Sequence, residues 1–141
     1  MQVVVVGAGA AGMVAALRLS EKGCNVTLIE QSEIPNPRSA SFDQHRIIRH
    51  LYPGADGYAK LIDPALAAWE RLWERLGRSH LAETGVLALS TRPGDWTDRG
   101  RQGLERLGIA HEVWETAQLR HHLPQFAIAD ETVGIFTVRG G

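Results

Sequence analysis

The 141-residue chain contains 15 Lys and Arg and 16 Asp and Glu residues, so its net charge is −1, and 44% of its residues are hydrophobic. This balance is typical of a globular domain and gives no basic surface for nucleic acid or an anionic membrane. No apolar run approaches the roughly 20 residues of a membrane-spanning helix. The single cysteine, Cys24, cannot form an internal disulfide, and the first predicted strand leaves no room for a signal peptide. We therefore expect a cytoplasmic chain without nucleic-acid or membrane partners.

The first predicted element is a strand of four valines, Val3–Val6, followed by glycines in the G-x-G-x-x-G spacing at Gly7, Gly9 and Gly12. β-Branched residues without a polar interruption are typical of a strand buried on both faces. In a dinucleotide-binding fold the first glycine permits a tight turn, the second lets the backbone approach a pyrophosphate, and the third lets the helix pack on the strand. The helix then offers free N–H groups and its positive dipole end to phosphates.

A helix over 13–21, a left-handed cap at Gly23 and a second strand over 25–30 are predicted next. The strand ends in Glu30, 23 positions after Gly7, close to the spacing at which a carboxylate meets a ribose hydroxyl. A carboxylate there disfavours the 2′-phosphate of NADP. The alternative is an ordinary βαβ start with a coincidental acid, but the order of all these features favours a nucleotide site.

Only two parallel strands are predicted for this part of the chain. A doubly wound domain needs at least a third, because a two-stranded parallel sheet cannot bury both of its faces. The sequence therefore predicts an α/β fold whose first sheet is incomplete.

Two prolines and several small polar residues make 31–41 a predicted loop. The segment 42–52 then carries Arg46 and Arg49. If this segment is helical, the two arginines share a face at i, i+3. Two adjacent guanidiniums suit a carboxylate or a phosphate, while the equal alternative is a pair of solvated arginines on a surface turn.

The clearest predicted helix begins at Asp63-Pro64 and ends before Gly77, with Asp as N-cap and Pro at the first helical position. Its apolar stripe includes Trp69 and Trp73. These rings could stack on a ligand, but we favour core packing because they continue the stripe.

After residue 83, helices and strands alternate in the predicted pattern. Asp95 is the expected N-cap of a helix that Gly108 closes, and Thr116 is the expected N-cap of a short helix. The predicted strands are 84–90, 109–114 and 132–138. This order predicts a second sheet covered by helices.

Six histidines invite a metal hypothesis, and His121 and His122 are the obvious pair. Adjacent residues on a helix point about 100° apart and do not readily share an ion. We therefore expect no metal site.

The motif at 7–12, Glu30 and above all the run Arg46-Ile47-Ile48-Arg49-His50 followed by Tyr52 resemble the FAD-dependent oxidases of the D-amino-acid oxidase superfamily. The resemblance is to the monomeric sarcosine oxidase and N-methyltryptophan oxidase branch. It implies a Rossmann-like FAD-binding βαβ start in residues 1–78 and the truncated beginning of an α+β substrate domain in 79–141. The chain would then be an N-terminal portion, inactive alone.

The resemblance also implies roles for individual residues. Arg46 resembles the arginine beside the flavin ring, Arg49 resembles the arginine that clamps a substrate carboxylate, and Tyr52 would lie nearby. The implied FAD-binding residues are Gly7, Gly9, Ala10, Ala11, Gly12, Glu30, Gln31, Ser39 and Ser41. The loop differs from those of relatives, which have glycine and histidine there, at Ala40, Phe42 and Gln44.

The implied activity is oxidation of a carbon–nitrogen bond in a small carboxylated amine, with transfer of a hydride equivalent to flavin and reoxidation by O2. A second polypeptide that completes the fold is a further expected partner. Two alternatives stay open. One is a non-catalytic nucleotide-binding remnant or partner subunit, and the other is half of an NAD-binding dehydrogenase, which would leave the two arginines unexplained.

Overall fold

A computed structural model of the chain describes residues 1–43 and 45–141. The chain divides into two compact units, Met1–Arg46 (unit 1) and Ile47–Gly141 (unit 2). The predicted functional domains, 1–78 and 79–141, have another boundary and remain a prediction. Within the described residues, no helix is long and apolar enough to cross a membrane. Gln44, one of the predicted loop differences, lies outside the described residues.

Unit 1 is the predicted βαβ start. Strand β1 (Gln2–Val6) leads into helix α1 (Ala10–Glu21), which returns to strand β2 (Asn25–Ile29). The strands are parallel, with register from Gln2 opposite Asn25 to Val6 opposite Ile29. The helix starts three residues before its predicted start, because the first helical turn is formed by the glycine motif itself. Gly23 has the predicted left-handed conformation, with φ 79°.

The prediction that β1 is buried on both faces is wrong for this chain. Val4 and Val6 are 61% and 80% exposed, while Val3 and Val5 are half-buried. Val5 lies on the face where α1 packs, since its side chain approaches Gly12. Among the described residues of unit 1, no element covers the opposite face, so the sheet is incomplete, as predicted.

Unit 2 begins with a long helix and continues with alternating strands and helices, in the predicted order. Its elements are α2 (Asp56–Leu76), β3 (Val86–Ser90), α3 (Trp96–Leu107), β4 (Glu112–Trp114), α4 (Thr116–His122) and β5 (Val133–Thr137). The three strands form an antiparallel sheet in the order β3-β5-β4. Each strand is shorter than predicted, by two or three residues.

The predicted start of α2 at Asp63 is wrong. The helix begins at Asp56 and runs through Pro64, which has no N–H and so breaks one backbone hydrogen bond. The two turns before the proline are held in place in part by Ala59, which is buried. The Asp63 carboxylate is not a cap; it contacts the ring of His50 and the guanidinium of Arg139. The predicted end of the helix at Gly77 is confirmed, with φ 79°.

The other helix caps were predicted with one error. Asp95 caps α3 by accepting the N–H of Asp98, and Gly108 ends it in the left-handed conformation. Helix α4 is capped by Glu115 in a capping box with Gln118, so Thr116 is its first residue and not its N-cap.

The core of unit 2 is formed where α3 lies against the three-stranded sheet. Leu51, Leu104 and Ile135 are each no more than 2% exposed and form one cluster. Trp73 is buried, as predicted for the stripe on α2, and its ring stacks on half-buried Trp69 with centroids 5.6 Å apart.

Candidate functional site

The glycine turn between β1 and α1 forms the base of the site in unit 1. Gly7 has φ 98°, a conformation that favours glycine, and its N–H donates to the carbonyl oxygen of Ile29 at 2.7 Å. A Cβ at Gly12 would lie 1.8 Å from the carbonyl oxygen of Gly7. Because that atom is backbone, only glycine at position 12 allows the helix to approach the turn this closely.

The N-terminus of α1 faces the loop that follows β2. Gly9 is the N-cap and supplies no side chain, and the first turn contains no acidic residue. The N–H of Ala10 donates to the Ser41 hydroxyl at 3.1 Å. The N–H groups of Ala11 and Gly12 belong to the same turn, where an α-helix has no internal acceptors. The positive end of the α1 dipole therefore lies next to the hydroxyl of Ser41 from the loop.

The carboxylate of Glu30 lies beside this turn. Its Oε2 accepts the N–H of Ala8 at 2.6 Å, and its Oε1 accepts the N–H of Gln31 at 3.0 Å and the side-chain amide of Asn36 at 2.9 Å. The N–H of Ala8, and next the amide of Asn36, lower the pKa of Glu30 below its usual value. These hydrogen bonds, all from residues of unit 1, hold the acid in place beside the glycine turn.

The predicted loop residues Ser39, Ser41 and Arg46 are in contact with this region of unit 1. The two serine hydroxyls are 3.3 Å apart. The Arg46 guanidinium donates to the carbonyl oxygens of Ala40 and, at 3.3 Å, of Phe42. Arg46 thus stabilises the loop in which Ser41 contacts the N-terminus of α1.

Arg49 and Tyr52 lie in unit 2. The Arg49 guanidinium carbon is 5.4 Å from the ring centroid of Tyr52 and 5.0 Å from that of Trp96. Its Nε is buried and, among the described residues, has no hydrogen-bond partner. Two aromatic rings therefore hold the guanidinium by cation–π contacts.

The condition that the arginine segment is helical is not met. The described residues of 42–52 form no helix, and Arg46 and Arg49 belong to different compact units. The i, i+3 argument therefore does not apply to them. The segment lacks a helix because its loop backbone is held by other contacts, such as the pair of hydrogen bonds between Ile48 and Gly141.

Sequence reasoning missed three contributors: the N–H of Ala8, the side chain of Asn36 and the ring of Trp96. The backbone group has no sequence signal. Asn36 stands between two prolines in the loop, a position that favours a turn and could have singled it out. Trp96 follows an N-cap, which predicts its place on α3 but not its contact with Arg49.

The histidine pair lies at the end of α4. The rings of His121 and His122 meet edge to face at 5.3 Å, and His122 stacks on Trp114. In the described part of the chain, no three His, Cys, Asp or Glu residues are placed to hold a metal ion.

Comparison with known proteins gives the family. The profile of the FAD dependent oxidoreductase (DAO) family matches residues 2–141. The chain belongs to this family. It is 30% identical over 138 residues to the peroxisomal sarcosine oxidase of Mus musculus, a match that covers 98% of this chain and 35% of the relative. It is 25% identical to the N-methyl-L-tryptophan oxidase of Yersinia pestis (strain Pestoides F), covering 98% of this chain and 37% of that protein.

Two solved structures share the fold of this chain. NikD, an amino acid oxidase of nikkomycin biosynthesis, has a TM-score of 0.81 at 22% identity, covering 99% of this chain and 36% of that chain. The L-proline dehydrogenase of P. horikoshii has a TM-score of 0.80 at 20% identity, covering 99% and 37%. The chain thus spans little more than a third of these relatives' length, and FAD is the cofactor of the family.

Proposed function

We propose that unit 1 binds the adenosine diphosphate half of FAD. The observation that carries the proposal is the Glu30 carboxylate held at the glycine turn by the N–H of Ala8, 2.6 Å away. An anchored acceptor at the end of β2 suits a ribose diol, and a fixed negative charge repels a 2′-phosphate. The family match favours FAD over the nicotinamide alternative.

The residues present fit the cofactor. The N–H groups of Ala11 and Gly12, in the first turn of α1, suit a pyrophosphate. Ser39 and Ser41 add hydroxyls from the loop, and Gln31 adds a backbone contact to Glu30.

We further propose that the whole protein oxidises secondary amines or amino acids that carry a carboxylate. The family and the names of the relatives, sarcosine oxidase and N-methyl-L-tryptophan oxidase, support this proposal. Bound FAD supplies the two-electron oxidation of the carbon–nitrogen bond, with O2 as final electron acceptor. Within this chain, Arg49 clamps the substrate carboxylate, its guanidinium held by Tyr52 and Trp96. Arg46 would stabilise negative charge near the flavin ring.

Activity needs more polypeptide than this chain supplies. The exposed face of β1, with Val4 and Val6, supports a role for further structure that covers this face, from the same or a second polypeptide. A non-catalytic partner subunit is the alternative that this face also favours. We propose a cytoplasmic location, which the single cysteine of this chain, Cys24, favours.

We test the substrate proposal by measuring the rate of hydrogen peroxide release from the FAD-loaded whole protein that contains this chain. N-methylglycine and dimethylamine differ in the carboxylate. Arg49→Lys should raise the KM for N-methylglycine by about tenfold or more and leave that for dimethylamine unchanged. Arg71→Lys, an exposed change on α2, is the control. An equal change in KM for both amines would show that Arg49 does not bind the substrate carboxylate.

A further inference from the structure

Asn36 is a buried polar residue of unit 1 that the proposed function does not use. The residue is 7% exposed, although it lies in a loop whose neighbours, Pro35 and Pro37, are exposed. Buried amides are retained where their hydrogen bonds are satisfied. Both ends of this amide have partners within the unit.

The two ends of the Asn36 amide contact different parts of the site. The Nδ2 group donates to Oε1 of Glu30 at 2.9 Å, while Oδ1 accepts the N–H of Arg38 at 2.9 Å. The Asn36 carbonyl oxygen also accepts the N–H of Ser39 at 3.0 Å. One residue therefore connects the carboxylate to the backbone of the following turn.

The turn continues to the N-terminus of α1. The Ser39 carbonyl accepts the N–H of Phe42 at 3.0 Å, and the Ser39 and Ser41 hydroxyls are 3.3 Å apart. Ser41 in turn accepts the N–H of Ala10. A continuous chain of hydrogen bonds thus runs from Glu30 through Asn36 to the first turn of α1.

We infer that Asn36 is a positioning residue that fixes the Glu30 carboxylate and the 36–42 turn as one preformed surface for the nucleotide. The inference rests on the proposed function for its ligand, but the arrangement itself concerns only residues of this chain. A preformed surface loses less conformational freedom on binding, which increases affinity. Asn36 touches neither reacting atoms nor, on this account, the nucleotide; it acts through Glu30.

The test uses Asn36→Asp in the 141-residue chain. The substitution keeps the shape and the Oδ1 acceptor for Arg38, but it removes the donor to Glu30 and places a second negative charge beside it. The matched control is Asn25→Asp, the same charge change at an exposed position at the opposite end of β2. Carbon-detected NMR titration of the Glu30 carboxyl and the amide signal of Ala10 report the arrangement without a ligand. Titration with ADP and with FAD reports its consequence.

We expect Asn36→Asp to raise the pKa of Glu30, to shift the Ala10 amide signal and to weaken ADP binding by about tenfold, as for loss of a hydrogen bond to a charged group. Asn25→Asp should change none of these. An unchanged pKa of Glu30 in Asn36→Asp would overturn the inference. A changed pKa together with an unchanged ADP affinity would overturn it as well.

Failure of the proposed function gives a different result. If the parent chain binds neither ADP nor FAD, the proposed nucleotide binding is wrong. The pKa of Glu30 and the amide signal of Ala10 still decide whether Asn36 positions the acid. Should Asn36→Asp fail to fold, Asn36→Ser removes the same donor without adding charge, and the same two signals are measured.

Discussion

The carboxylate of Glu30 accepts the backbone N–H of Ala8 at 2.6 Å, across 22 positions of sequence. This bond joins the end of β2 to the turn after β1, where the glycine motif begins. The acid is therefore a structural link of unit 1 as well as the proposed ribose ligand.

Glu30→Gln keeps the shape of the side chain and removes its charge. We expect ADP affinity to fall by about tenfold, because a charged hydrogen-bond acceptor is stronger than a neutral one. Calorimetric titration measures the change. Glu33→Gln, at an exposed position of the same loop, is the control and should leave the affinity unchanged.

The same residue predicts an acid dependence of stability. Because the N–H of Ala8 and the amide of Asn36 lower the pKa of folded Glu30, its stabilising contribution is complete above the usual pKa of a glutamate and is lost as pH falls through the lowered value. Thermal melts over this acid range should show a smaller loss of melting temperature for Glu30→Gln than for the parent chain. Identical pH profiles would contradict the account.

The close approach of Gly12 to the Gly7 carbonyl predicts the effect of a single methyl group. Gly12→Ala should lower the melting temperature and abolish nucleotide binding, because the new Cβ would meet a backbone atom at 1.8 Å. Gly57→Ala, on α2 with nothing within 4 Å, is the control for helix propensity. A Gly12→Ala chain that binds ADP like the parent would show that the close approach is not needed.

Helix α3 supplies a matched pair of glycines. A Cβ at Gly100 would lie 2.4 Å from Cδ2 of the core residue Leu51, whereas a Cβ at Gly103 would meet its nearest atom at 3.4 Å. Gly103→Ala should gain up to about 1 kcal/mol of unfolding free energy from helix propensity. Gly100→Ala should instead lose about 1–3 kcal/mol through overpacking. Denaturant unfolding compares the two, and equal shifts would be inconsistent with this packing.

Asp95 is the N-cap of α3, and the N–H of Asp98 is the main reason that its pKa is lowered to about 2. Asp95→Ala should cost about 1 kcal/mol of unfolding free energy at neutral pH. Asp95→Asn keeps the acceptor and should be nearly neutral there. The parent chain, unlike Asp95→Asn, should lose the contribution as pH falls from about 4 to 2. Denaturant melts at both pH values provide the measurement.

The sequence predicts local features well because their causes are local. The end of α2 at Gly77, the cap of α3 at Asp95 and the turn at Gly7 each depend on the conformational preference or hydrogen bonding of a single residue. Pro64 misled the prediction of the start of α2, because a proline typical of a first helical turn is also tolerated where the preceding turns are stabilised by packing, as at Ala59.

The rest of the site depends on contacts between segments distant in the chain. The bonds from Glu30 to Ala8 and from Ser41 to Ala10 join residues more than 20 positions apart, and no periodicity encodes them. The exposure of Val6 likewise could not be predicted from four valines, since burial depends on which elements pack on the faces of the sheet.

The proposed FAD site of unit 1 is tested most directly by titrating the purified 141-residue chain with FAD and following the visible spectrum and the fluorescence of the flavin. We predict saturable binding of one FAD per chain, competed by ADP and not by a 2′-phosphorylated nucleotide. A chain that unfolds cooperatively yet leaves the flavin spectrum and fluorescence unchanged would contradict the proposal.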